Sequence, residues 1–123
     1  MRKFKFFVPA IAWVLIITLL SLLPTKNLQK FSVDIVSFDK MAHLFIYAVL
    51  SFFIAWGIKK SLMHKNLSLK LLATIFLFTS VYGIGIEFVQ KSISTGRHFE
   101  YYDIIANIIG SFIGLLFFIR KKL

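Results

Sequence analysis

Glu87 lies inside an apolar run, with Ile84, Ile86, Phe88 and Val89 around it. Placing a carboxylate there in a membrane costs about a few kcal/mol, so it must face protein and meet a partner. His43, Lys40 and Arg97 are the candidate partners. Asp39, Lys40, His43 and Tyr47 fall within about 100° of arc at 100° per residue, one stripe of a helix. Ser80, Gly83, Glu87 and Gln90 form a second stripe, and Asp103, Asn107, Gly110 and Gly114 a third. Glu87 and His43 are the groups for acid–base work, with burial raising the carboxyl pKa and Asp39 or Asp103 orienting the imidazole. Arg97 and Lys40 suit an anionic phosphate or carboxylate. Gln90, Asn107 and Tyr47 supply neutral hydrogen-bonding groups for the same ligand.

Plainer readings stand beside these. Asp39 and Asp103 can each sit at a helix N-terminus, facing its positive end. Lys40 can snorkel to headgroups, and Tyr101 and Tyr102 fit an interfacial aromatic belt. Gly110 and Gly114, with three residues between them, match small-residue helix packing, and Gly83 and Gly85 are expected to serve likewise near Glu87. His64 and His98 are read as facing solvent. Asp39 and His43 with Glu87 count three possible metal ligands, but no zinc-binding H-E-x-x-H run accompanies them. Neither a metal nor a cofactor is expected.

The elements that must carry these stripes are membrane helices. The chain has 123 residues, 59% of them hydrophobic, with fifteen Phe, two Pro and no Cys. Its mean hydropathy is +0.83. A soluble domain of this size is less apolar, and disordered, collagenous and disulfide-stapled classes do not fit. The absence of Cys removes thiol nucleophiles and thiolate metal sites. A bilayer crossing needs roughly 20 mostly apolar residues, and four stretches qualify or nearly do: 6–23, 41–58, 69–89 and 104–119. The predicted fold is an all-α integral membrane protein, four transmembrane helices in a compact bundle forming a single domain over residues 1–123. The first stretch has a basic prelude like a signal peptide, but nothing at 21–26 resembles a cleavage site, so it is read as a retained helix.

Charge sets the orientation. Arg2, Lys3, Lys5, Lys59, Lys60, Lys65, Lys70, Arg120, Lys121 and Lys122 fall on one side of these spans, with no acid among them. Lys26, Lys30, Lys40, Lys91 and Arg97 fall on the other side, together with all five acids, Asp34, Asp39, Glu87, Glu100 and Asp103. The positive-inside rule therefore predicts both termini in the cytoplasm of a multi-pass plasma-membrane protein, with the polar stripes opening outward. A net charge of +10 would suggest nucleic acid in a soluble protein. These loops offer no basic groove with stacking aromatics, and no nucleic-acid partner is expected.

The run Asp39-Lys40-Met41-Ala42-His43, followed by Tyr47, resembles the D-K-x-x-H-x-x-x-Y signature of VanZ-like membrane proteins, a family named for a teicoplanin-resistance protein. Glu87 and Gln90, then Arg97, then Asp103, Asn107, Gly110 and Gly114, resemble the family's second signature, and Ser21 to Pro24 the close of its first helix. The resemblance implies a four-helix domain of the bacterial cell membrane, some members of which lower teicoplanin susceptibility.

Two functions follow. One is a module that binds or modifies an envelope component: membrane lipid, a lipid-linked cell-wall precursor or a lipoglycopeptide. The other is a structural or accessory subunit whose polar stripes only hold helices together. A kinase using cytoplasmic ATP is opposed by the lack of carboxylates on the basic side and of a Gly-rich phosphate loop. The oligomeric state is not legible.

Overall fold

The computed structural model describes residues 3–21, 34–63, 66–93 and 101–121. A 3-10 turn, Phe4–Phe7, leads into α1, Val8–Ser21; α2, Asp34–Ser61, α3, Leu69–Ile93, and α4, Tyr101–Lys121, follow. The described residues contain no strand. Three helices are long and apolar enough to cross a membrane, over Lys40–Ser61, Leu69–Val89 and Tyr101–Lys121. The first apolar helix, Phe4–Leu20, is shorter.

Local chemistry accounts for the ends that matter. Pro9 is the second residue of α1, where its missing N–H costs little. Beyond the end of α2, Met63 turns into the left-handed region at φ 58°, its N–H donating to the Lys60 carbonyl at 3.1 Å. Ser68 caps α3, its Oγ accepting from the Leu71 N–H at 3.1 Å. Asp103 lies in the first turn of α4, and Arg120 and Lys121 in its last, the favourable sense for both helix ends. Asp39 does not start a helix: α2 begins at Asp34, five residues earlier, so Asp39 lies within the helix. Its N-terminal reading is corrected by helix propagation, which runs through Asp34 to Lys40 without a breaker.

The tightest pair is α2 with α4. A methyl on Gly110 would run into the Leu44 carbonyl, and one on Gly114 into the Ala48 carbonyl and the Ser51 hydroxyl. Only backbone hydrogens fit in that seam. Ser51 Oγ also donates to the Ser111 carbonyl at 2.9 Å, a bond buried between the helices. Lys40 meets Asp103 at one end of the pair, and Lys59 covers Phe118 at the other, so α2 and α4 run parallel. Helix α3 runs against both, with Ile75 packed on Ala55, Leu115 and Phe118 and Gly83 against Tyr47 and Asn107. Helix α1 also opposes α2: the backbone of Phe6 rests on Gly57, and the Trp13 indole donates to the Ile46 carbonyl at 2.9 Å. The described ends of the chain, Phe4–Phe7 and the close of α4, therefore share the lysine-rich end of the bundle. The carboxylates Glu87 and Asp103 lie toward the other.

Candidate functional site

Three helices build the polar end in two levels. The deeper level is set by Gly83, where a methyl would come within 3.0 Å of the Asn107 amide nitrogen and 3.1 Å of the Tyr47 ring. Tyr47, Gly83 and Asn107 thus touch across α2, α3 and α4. One helical turn nearer the end, ~6 Å along the axis, come His43 on α2, Glu87 on α3 and Asp103 on α4. The i, i+4 spacing of each pair makes the two levels.

Asp103 is 3% exposed yet faces two basic residues of α2. Lys40 Nζ stands 3.7 Å from one carboxylate oxygen, and His43 Nε2 3.9 Å from the other. The other imidazole nitrogen, Nδ1, is 3.0 Å from the Asn107 side-chain oxygen. With that oxygen accepting, Nδ1 carries the proton and Nε2 is directed at Asp103. Residues one turn apart on α4 thus face both ring nitrogens, Asn107 within hydrogen-bond distance and Asp103 farther off. Lys40 also stands 5.9 Å from the centre of the Tyr102 ring, within cation–π range.

Glu87 is as buried as Asp103, at 3%. It is a buried carboxylate on the third helix, at the level of His43. Beneath it, Tyr47 Oη and Ser80 Oγ are buried with no hydrogen-bond partner among the described residues. Tyr47 lies beside Tyr82, ring centres 6.2 Å apart, and Tyr82 shares a 2.9 Å hydrogen bond with Thr18 of α1. All four helices thereby connect to the polar end. The arrangement can hold an anion at Lys40, exchange protons at Glu87 and His43, and hydrogen-bond a polar group at Tyr47 and Ser80.

Of the residues singled out by spacing, the structure brings together Lys40, His43, Tyr47, Asp103 and Asn107, with Glu87 beside them on α3. Asp39 and Gln90 are on α2 and α3, but their side chains lie outside the described residues, as does Arg97 altogether. No three of His, Asp and Glu gather as a metal ion would need among the described residues; the Asp39, His43 and Glu87 trio falls partly outside them. Gly85 does not share the role of Gly83: a methyl there meets nothing within 4 Å, because two residues along a helix turn about 200° to the opposite face. Thr18, Tyr82 and Trp13 were not anticipated. Their signal was a polar atom inside each apolar run, which in lipid must find a protein partner.

No curated protein and no solved structure matches the chain. The three long apolar helices make this a membrane protein. The model of the VanZ/LLP1 family matches residues 2–122, essentially its whole length, and the chain belongs to that family.

Proposed function

We propose that this protein crosses the plasma membrane four times with both termini cytoplasmic, and binds or modifies an envelope component at an outward-facing polar site. The ligand is an anionic lipid, a lipid-linked cell-wall intermediate or a lipoglycopeptide. Lowered susceptibility to teicoplanin-type antibiotics is the phenotype that this reading and the family suggest. One observation carries it: two carboxylates from different helices, each 3% exposed, at the end of a membrane bundle away from its lysine cluster. Such groups are expensive in lipid and mark sites. For the fourth crossing, the support is length: ~1.5 Å per residue over Val8–Ser21 and ~2 Å over Phe4–Phe7 give ~29 Å, close to the ~30 Å hydrocarbon core. Lys40 and Arg97 are proposed as anion anchors, with Gln90, Asn107 and Tyr47 as hydrogen-bonding groups. Glu87 and His43 form the acid–base pair, with Asp39 or Asp103 orienting the imidazole.

The test compares Glu87→Gln and Arg97→Ala with a Lys65→Ala/Lys70→Ala double variant at matched membrane expression, scoring lipoglycopeptide susceptibility and envelope-lipid composition. Glu87→Gln and Arg97→Ala are expected to abolish the phenotype, Arg97→Ala at least as fully, since it strands whatever anion it anchors. Loss only in the lysine double variant would move the site to the other end of the bundle. The 3.0 Å bond between His43 and Asn107 favours a second reading, a structural subunit whose polar stripes join helices. Full activity in both Glu87→Gln and Arg97→Ala would select it.

A further inference from the structure

At the lysine-rich end, the turn Phe4–Phe7 lies directly on the α2 backbone. A methyl on Gly57 would come within 2.8 Å of the Phe6 carbonyl and 3.1 Å of the Phe7 ring. That seat brings the Phe6 ring edge-on to Trp56, with centres 6.2 Å apart and planes at 79°. An ammonium stands over each ring of the pair. Lys5 Nζ is 5.2 Å from the Phe6 centre, and Lys60 Nζ is 5.8 Å from the Trp56 centre. Two cations from separate elements are thus mounted on one aromatic pair. Close by, Lys59 covers Phe118 and Lys121 covers Phe117, at 5.7 and 5.5 Å.

Among the described residues, no Asp or Glu side chain belongs to this end. The five acids of the chain occupy positions 34, 39, 87, 100 and 103, and the two whose side chains the structure describes, Glu87 and Asp103, lie toward the other end of the bundle. Like charges gathered with no Asp or Glu among the described residues favour an anion from outside the chain. Tryptophan at the end of a membrane helix sits at headgroup depth, where the anion on offer is a phosphodiester, and lysine binds phosphate as a point charge. We propose that Lys5 and Lys60, mounted on the Phe6–Trp56 pair, form a binding site for the phosphate of an anionic phospholipid. This site is separate from the Glu87 end and does not depend on the function proposed for it.

The experiment uses the full chain purified in detergent, offered equal amounts of phosphatidylglycerol and phosphatidylcholine, with retained lipid counted by native mass spectrometry. Phosphatidylglycerol is expected to be retained about tenfold over phosphatidylcholine, from the attraction of paired lysines near a surface. Lys5→Gln/Lys60→Gln removes that preference, whereas Lys65→Gln/Lys70→Gln, with the same change in charge, keeps it. Trp56→Leu, which changes no charge but takes away the ring under Lys60, lowers the preference. Equal retention of both lipids by the unaltered protein overturns the proposal. So does an equal loss in the two lysine double variants, which would mean diffuse attraction by net charge. A full preference retained by Trp56→Leu overturns the aromatic mounting.

Discussion

His43 shows how far one side chain can be tied by its neighbours. Its two nitrogens face Asn107 at 3.0 Å and Asp103 at 3.9 Å, so α4 sets the ring's orientation at both edges. Hydrogen bonds between membrane helices are worth about 0.6 kcal/mol on average and up to about 1.7. A double-mutant cycle of His43→Ala and Asn107→Ala, followed by reversible unfolding in mixed micelles, is expected to give a coupling energy in that range. A coupling of zero would show that the bond does not hold the two helices. In the sequence both residues were already visible as members of polar stripes. What spacing could not show was the pairing, because His43 and Asn107 belong to different helices and their phases are fixed only by how those helices pack.

Glycine makes the same point for whole elements. Gly83 and Gly85 are two residues apart on α3, but one lies against Asn107 and Tyr47 while the other faces open space. Gly83→Ala requires the buried Asn107 and Tyr47 to give way and should cost about 1 kcal/mol, the lower end of the penalty for overfilling a packed contact. Gly85→Ala should stabilise the protein by about 0.5–1 kcal/mol, since alanine is the better helix former where nothing is displaced. Unfolding midpoints of the two variants, measured side by side, check both signs. On α4, Gly110 and Gly114 stood out by their spacing, and there the small-residue rule pointed to the face that meets α2. On α3 it could not separate two glycines on opposite faces.

For the molecule as a whole, the governing quantity is the separation of charge. Ten of the fifteen lysines and arginines lie in segments without an acid, and all five acids lie in the others. The bundle keeps that separation in space, with Lys59 over Phe118 at one end and Lys40 beside Asp103 at the other. The proposed orientation is checked in this Cys-free chain by placing single cysteines. Ser94→Cys, between α3 and α4, should react with a membrane-impermeant maleimide added to intact cells, and Asn66→Cys, between α2 and α3, only after permeabilisation. The reverse pattern would turn the bundle over and move the polar site to the cytoplasm.

By themselves the residues establish a membrane protein, its helices and its division into a basic and a mixed end, and they mark the polar residues of the candidate site. Those properties are one-dimensional: apolar length, helical period and the order of charges along the chain. They do not contain the rotation of one helix against another. Tertiary packing decided that α2 and α4 run parallel in near-backbone contact, that Asp103 faces Lys40 and His43, and that α1 joins the polar end through Thr18 and Tyr82. Each of these follows from close contact between surfaces. A missing Cβ at Gly110 or Gly83 is a vacancy on one helix until another helix fills it.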